Sequence, residues 1–468
     1  MQKISYIFLI IILGIQTAYS NNDSTLVLSF DTYMDIVKTH HPVSKQAELQ
    51  ISKGEAGLQS SRGGFDPKII TDIGQKYYEG SQYYSLVNAG LKIPTWMGIE
   101  IQAGYEQNQG LYLNPENFTP TDGLMYAGIS IPVGQGLFID KRRAELQKAK
   151  NFQEISALEQ QIMLNNLLYE SGKAYWEWFI AHSKLQVFEE AYELAEERYQ
   201  AVNRGAALGD LPSIDTLEAG IQLQNRALSL QQARLDFENT TEMLSLYLWV
   251  DGIVPLETSE ETIPVSKDSI TDYSLEGVLS SELDTFIANH PELQQYQFKV
   301  EQMEIDKRLK KEQLKPVVNL KYNALSKPVN GNPFTSYNTN NYTWGLEFRF
   351  PVFLRKERGN VKLADLKIQD AEFELATKQA GIETKTNMAL NLWTTTIEQI
   401  NLYNQTVRDY YGLLDGERKM FNAGESSLFM VNSREIGYIQ AQLKLIDLIA
   451  KNRKAKLTAN FALGLLAQ

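Results

Sequence analysis

Residues 137–203 read LFIDKRRAELQKAKNFQEISALEQQIMLNNLLYESGKAYWEWFIAHSKLQVFEEAYELAEERYQAVN, with no proline and a single glycine, Gly172. As one helix this stretch would run on the order of 100 Å at ~1.5 Å per residue. A helix of that length cannot belong to a compact globule. In its second part Trp178, Ala181, Leu185, Phe188, Tyr192, Ala195, Tyr199 and Val202 recur at alternating spacings of three and four. A seven-residue apolar period held over three heptads is a coiled-coil seam. The stripe is packing, and no cofactor is implied.

The stretch has a copy. Arg143, Trp178, Gly209 and Leu248 match Arg358, Trp393, Gly424 and Leu463, all at an offset of 215. Further upstream, His41-Pro42 and Pro67 match His290-Pro291 and Pro316 at an offset of 249. Internal repeats decide architecture before single elements do. Past the 20-residue leader, the chain therefore divides into repeat 1 (21–254) and repeat 2 (255–468). Repeat 1 holds a β-segment (65–134), the long helix (137–203), a tip (204–212) and a return helix (213–247). Repeat 2 holds a β-segment (316–353), a long helix (355–422), a tip (423–427) and a return helix (428–463). Helices over 43–62 and 292–314 follow each His-Pro. The change of offset from 249 to 215 leaves 34 surplus residues between Pro67 and Arg143. They could form an extra hairpin, longer strands or a larger loop.

In the β-segments the apolar period switches to two. Tyr342, Trp344, Leu346, Phe348 and Phe350 alternate with Thr343, Gly345, Glu347 and Arg349. Ile99, Ile101, Ala103 and Tyr105 alternate with Glu100, Gln102, Gly104 and Glu106. This fits the wall of a transmembrane β-barrel. It fits a soluble sandwich with one wet face equally well. The polar stretches 110–123 and 327–341 read as loops outside. Residues 251–289 read as an irregular linker plus a short helix, partnered by residues 23–40.

The first twenty residues read as a leader. Lys3 precedes an apolar run from Ile4 to Ile15, and Ala18-Tyr19-Ser20 fits a small-x-small cleavage site. That is a secretory signal peptide. No later stretch is a spanning helix, so any membrane part must be β-strands or lie on the surface. The chain has 468 residues, a formal charge of −12 and no cysteine. The acidic balance argues against nucleic acid. The missing cysteine excludes disulfides, cysteine-ligated metal and a thiol nucleophile. The four histidines (His40, His41, His182 and His290) make no metal-binding pair at i, i+4 spacing. No phosphate loop ending in Lys-Ser or Lys-Thr and no Gly-x-Ser-x-Gly elbow is present. No enzyme and no cofactor is expected.

Two strands per half give four, and the smallest spanning barrels need about eight. Open sheet edges in lipid cost several kcal/mol per unsatisfied group. Closure then demands an oligomer, and a closed barrel running into long helices makes a tube. The competing reading is a secreted coiled-coil structural or adhesin protein.

The leader, duplicated strands, long helices and tip turns together resemble the TolC-like outer-membrane efflux proteins. The likeness covers essentially the whole mature chain. Its marks are the two His-Pro helix starts, Ile131-Pro132-Val133 and Phe350-Pro351-Val352, and the basic starts Lys141-Arg142-Arg143 and Arg355-Lys356-Glu357-Arg358. The first tip resembles the family's pattern through Gly209, Asp215, Leu217 and Ala219.

The resemblance implies an α+β membrane protein, internally duplicated. A coiled-coil α-helical periplasmic barrel would continue into a trimeric, 12-stranded transmembrane β-barrel. It implies an exit duct in the outer membrane of a Gram-negative bacterium, with most of the chain in the periplasm. The duct would serve a tripartite efflux or type I secretion system. Its partners would be two further copies, a periplasmic adaptor protein, an inner-membrane pump reached through the adaptor, and outer-membrane lipid. Tip and gate candidates are Gly209, Asp210, Leu211, Asp215, Phe421, Gly424, Glu425 and Ser426. Asp215 reads first as a helix cap and second as a gate contact. Where the family carries acids in its second tip, this chain has Met430 and Ser433, which puts an acidic pore ring in doubt.

Overall fold

The structure is a computed structural model that describes residues 26–250, 254–256, 258, 262–270, 283–328, 332 and 336–467. The leader at 1–20 lies outside the described residues, as do parts of the linker and of the 327–341 loop.

In chain order the principal elements begin with strand β1 (Leu26–Leu28) and helices α1 (Phe30–His40) and α2 (Pro42–Arg62). Strands β2 (Lys68–Tyr78), β3 (Ser81–Pro94), β4 (Glu100–Gln109) and β5 (Leu124–Pro132) follow. Next come helices α3 (Lys141–Leu208) and α4 (Ser213–Ser245), strand β6 (Thr262–Pro264) and helix α5 (Pro291–Glu312). Strands β7 (Val317–Ser326) and β8 (Tyr342–Arg349) lead into helices α6 (Arg355–Asn422) and α7 (Leu428–Ala462). The elements fall into two compact units: 1–44, 167–277 and 388–459 form one, and the remainder forms the other.

In the first unit the expected seams are buried. Trp178, Ala181, Leu185, Ala195 and Val202 are inside, as are Trp393, Thr396, Ile400 and Leu414 in the copy. Trp178 donates its Nε1–H to Thr241 Oγ1 at 2.9 Å. A Cβ on Gly172 would come within 2.7 Å of Leu457 Cδ2, so the glycine sets how closely α3 and α7 approach. β1 pairs parallel with β6, Leu26 opposite Thr262, which gives the described part of the linker its partner near the chain start. The Tyr175 hydroxyl donates to Leu28 O at 2.8 Å and fastens that strand to α3.

The second unit carries one six-stranded antiparallel sheet in the order β8-β7-β5-β4-β3-β2. This corrects the expectation of two strands per half. The first half supplies four, because its surplus residues continue the period of two and reverse direction again near Thr95–Gly98 instead of bulging into a loop. Buried Glu312 ties the sheet to its helices. It accepts from Gly136 N–H (3.2 Å) and Phe138 N–H (3.4 Å) and pairs with Lys315 at 2.7 Å.

Helix ends depart from expectation by a few residues. α3 starts at Lys141 rather than 137, because Asp140 accepts from Arg143 N–H at 2.8 Å through Oδ1. It continues past Gly205 and ends at Leu208.

Each His-Pro is a helix start of one design. His41 Nδ1 accepts from Val43 N–H at 3.1 Å, and His290 Nδ1 accepts from Glu292 N–H at 3.2 Å. Proline suits the position after the cap, because its missing donor has no partner there anyway. Burial holds both imidazoles below the ordinary histidine value of 6.5. The folded chain therefore keeps them neutral at a pH where the unfolded chain takes up protons. Stability from this source is full above about pH 6.5 and is lost as pH falls toward the lowered values. The melting temperature of the purified protein should drop between pH 7.5 and 5.0. The drop should shrink in His41→Asn/His290→Asn, which keeps a capping acceptor that does not titrate. An identical drop in the variant would refute the assignment.

Candidate functional site

Two regions have the geometry of function, and each is described within its own unit. The first is the helix tips. α3 ends in a left-handed glycine, Gly209 at φ +84°, and α6 ends in Gly424 at φ +77°. Gly209 N–H donates to Ala206 O (3.1 Å) and Asp210 N–H to Gly205 O (2.9 Å). The second tip repeats this with Gly424 to Phe421 (3.0 Å) and Glu425 to Met420 (2.9 Å). These are two copies of one Schellman cap.

The predicted tip residues divide by environment. Gly209, Asp210, Gly424 and Glu425 are exposed. Leu211 and Phe421 turn inward and pack with Tyr199 against buried Val202, Ala219 and Leu428, an apolar cluster contributed by all four helices. Asp215 lies half-exposed in the first turn of α4, where its charge suits the helix dipole. The Ser426 hydroxyl bonds to Glu417. Met430 is half-buried and Ser433 exposed. Leu208, Ile214, Leu217 and Phe429 stand mostly bare to solvent, between 65% and 78% exposed. Of these, only Leu217 was legible, through the first-tip pattern.

About ten residues back from the tips is an arrangement that periodicity alone did not reveal. Glu435 on α7 is buried and meets Arg198 of α3, Arg226 of α4 (3.9 Å) and Arg418 of α6 (3.4 Å). Asn432 accepts from Arg198 Nη1 and donates to Glu218 of α4, each at 2.9 Å. Burial pushes the Arg226 guanidinium down from its ordinary value, and Glu435 opposes that push. One carboxylate thus cross-links all four helices. The available signal was Asn432, Glu435, Ile439, Gln442 and Ile446 at spacings of three and four. A charge on a seam needs a buried partner.

The second region is the sheet. Directly opposed residues in an antiparallel pair share a face. Ile69, Leu91, Ala103, Ala127, Ala324 and Tyr342 form one row across all six strands. Beside it runs Ile93, Ile101, Ile129, Tyr322 and Trp344. Lys68, Asp72, Lys76, Lys92, Glu100, Glu106, Lys321, Glu347 and Arg349 all lie on the other face. No charged strand residue lies on the apolar face. Among the described residues no helix is long and apolar enough to cross a membrane. Among them, too, no group of three or more His, Asp or Glu could hold a metal ion.

The outer membrane efflux protein family matches residues 283–465. No curated protein matches the sequence. Solved structures match over nearly the whole chain. The CmeC outer membrane channel of Campylobacter jejuni aligns with a TM-score of 0.66 and 15% identity, covering 97% of this chain and 91% of that one. The open-state MtrE outer membrane channel of Neisseria gonorrhoeae gives 0.68 and 13%, over 96% and 93%. The VceC outer membrane protein of Vibrio cholerae gives 0.64 and 12%, over 93% and 96%. The fold is that of a TolC-like outer-membrane channel. The likeness to the outer membrane efflux protein family lies in the second half of the chain.

Glu435→Ala would leave three guanidinium groups crowded without their carboxylate, a loss of about 3–5 kcal/mol for a broken buried pair. Amide hydrogen exchange in 195–230 and 415–440 should quicken while the sheet stays protected. Unchanged exchange at the tips would show that the cross-link holds nothing.

Proposed function

We propose that this chain is the outer-membrane exit duct of a tripartite efflux or type I secretion system. It passes substrates from an inner-membrane pump and a periplasmic adaptor to the exterior. The observation that carries the reading is the sheet: apolar on one face, charged only on the other, and open at both edges. β8 is exposed along its whole length, and β2 at every residue but Gly74. An open edge in lipid leaves backbone groups unsatisfied, which lipid cannot remedy and a second strand can. A homotrimer in outer-membrane lipid meets that need. A wall that is polar on its inner face conducts without chemistry, so neither catalysis nor a cofactor is required.

The tips are the docking end for the adaptor. Leu208, Ile214, Leu217 and Phe429 offer apolar contact around two turns of identical backbone. Ser433 and half-buried Met430 leave Asp210, Asp215 and Glu425 as the tip acids.

The purified protein should migrate as a detergent-bound trimer and give channel conductance in planar bilayers. Recovery wholly in the soluble periplasm without conductance would sink the duct and favour a secreted scaffold. At the tips, Gly209→Trp or Gly424→Trp should abolish adaptor-dependent export while trimers still assemble. Nothing lies within 4 Å of a Cβ at either position, so the new side chain starts into open space, and the left-handed backbone costs about 1–2 kcal/mol. Undiminished export in these variants would remove the tips from the docking surface.

A further inference from the structure

We infer that the additional hairpin is part of the membrane wall, so that three copies close an eighteen-stranded barrel by joining β8 of one chain to β2 of the next. The inference rests on the trimeric duct proposed above and adds its width and its joint.

The first ground is the continuity of the apolar face. A hairpin destined for water would not carry Ile69, Ile73, Val87 and Leu91 on the same side as Ile101, Ile129 and Trp344. Ile69 and Ile73 are 83% and 70% exposed in the single chain, a position lipid would cover. Lys68, Asp72, Lys76 and Lys92 stay on the charged face throughout the hairpin.

The second ground is strand direction. β2 runs away from α2 and β8 runs toward α6, so the two open edges are antiparallel, like every pair inside the sheet. The third ground is charge. With the faces matched, placing Lys68 opposite Glu347 also places Asp66 opposite Arg349. A shift of two residues one way sets Lys68 against Arg349, and the other way sets Asp66 against Glu347. Like charges directly opposed are destabilising, so only one of these registers is complementary.

Width follows from the strand count. At ~4.8 Å between strands and ~40° of tilt, eighteen strands enclose about 36 Å between backbones, and twelve about 24 Å. Gly74, Gly90, Gly104, Gly128 and Gly345, the glycines of the strands, all fall on the charged face, where Gly90 and Gly104 make room for the Tyr126 ring. The site accepts a second copy of this chain, and the bore passes solutes as large as those of the widest porins rather than the narrowest barrels.

The chain has no cysteine, so introduced thiols react alone. Ile69→Cys/Leu346→Cys places thiols opposite each other across the proposed joint. Ile101→Cys/Leu346→Cys tests the alternative, in which the hairpin lies outside the wall and β4 meets β8 of the next chain. Each variant is oxidised in outer-membrane vesicles and run in denaturing gels, beside native mass spectrometry in detergent. A covalent trimer from the first pair and none from the second is the expected result. A trimer from the second pair, or a native trimer that neither pair links, overturns the eighteen-stranded wall and leaves the duct standing. A native mass other than a trimer overturns the duct as well.

Discussion

Everything in this molecule answers to the backbone groups at the two edges of its sheet. A peptide N–H or C=O facing hydrocarbon has no water to fall back on, and each orphan costs several kcal/mol. In water a protein blunts such edges with lysines, prolines or bulges. Here β8 and β2 are exposed along nearly their whole length, with β2 bulged only at Lys76–Tyr77, and Ile69, Ile73, Trp344, Leu346 and Phe348 lie on the apolar face of the interior strands. Such edges are stable only when paired. An even strand number allows identical chains to meet antiparallel, and within the sheet β5 of the first repeat lies beside β7 of the second.

The helical unit follows a different economy. Its cores are aromatic and aliphatic seams, interrupted by buried polar groups such as Glu435 and Asn452. Duplication kept the backbone devices and let the side chains drift. Both His-Pro starts cap through Nδ1, and both tips close with the same pair of backbone bonds. Yet Trp178 donates to Thr241, whereas Trp393, its copy, has Lys456 over its ring at 5.6 Å. Backbone geometry tolerates few alternatives at a left-handed turn, whereas a buried indole can keep its packing after losing its hydrogen bond, as Trp393 has, its Nε1–H being without an acceptor.

Periodicity made the long helices, the return helices and the alternating strands legible, because each rests on local rules repeated many times. Four strands were expected where six occur. The surplus was visible as a change of offset, but an offset does not tell a hairpin from a loop. The deciding detail lies in Ile69, Ile73, Val87 and Leu91, which share a face across the Glu79–Gly80 turn, but Ile70 and the paired tyrosines blur the period of two there. Of the tip candidates, the glycines were legible from turn chemistry. Leu211 and Phe421 were not known to face inward, since a turn residue's side has no period. Glu435 and its three arginines were unread for another reason. They are drawn from four helices separated by up to about 240 residues, and no local window contains them.

The pairing of β5 with β7 also orders assembly in time. The turn at Glu79–Gly80 joins β2 to β3 through neighbouring residues, so that hairpin is free to zip as soon as it is made. Met125, in contrast, meets Ser326 across about 200 residues. A contact that remote forms slowly, because the loop must close before the pairing repays it. The two halves of the sheet therefore stay apart until the second repeat exists. During that interval the edge of β5 lies open as well as that of β2, and protection of the nascent chain has to last as long as the synthesis of the intervening helices.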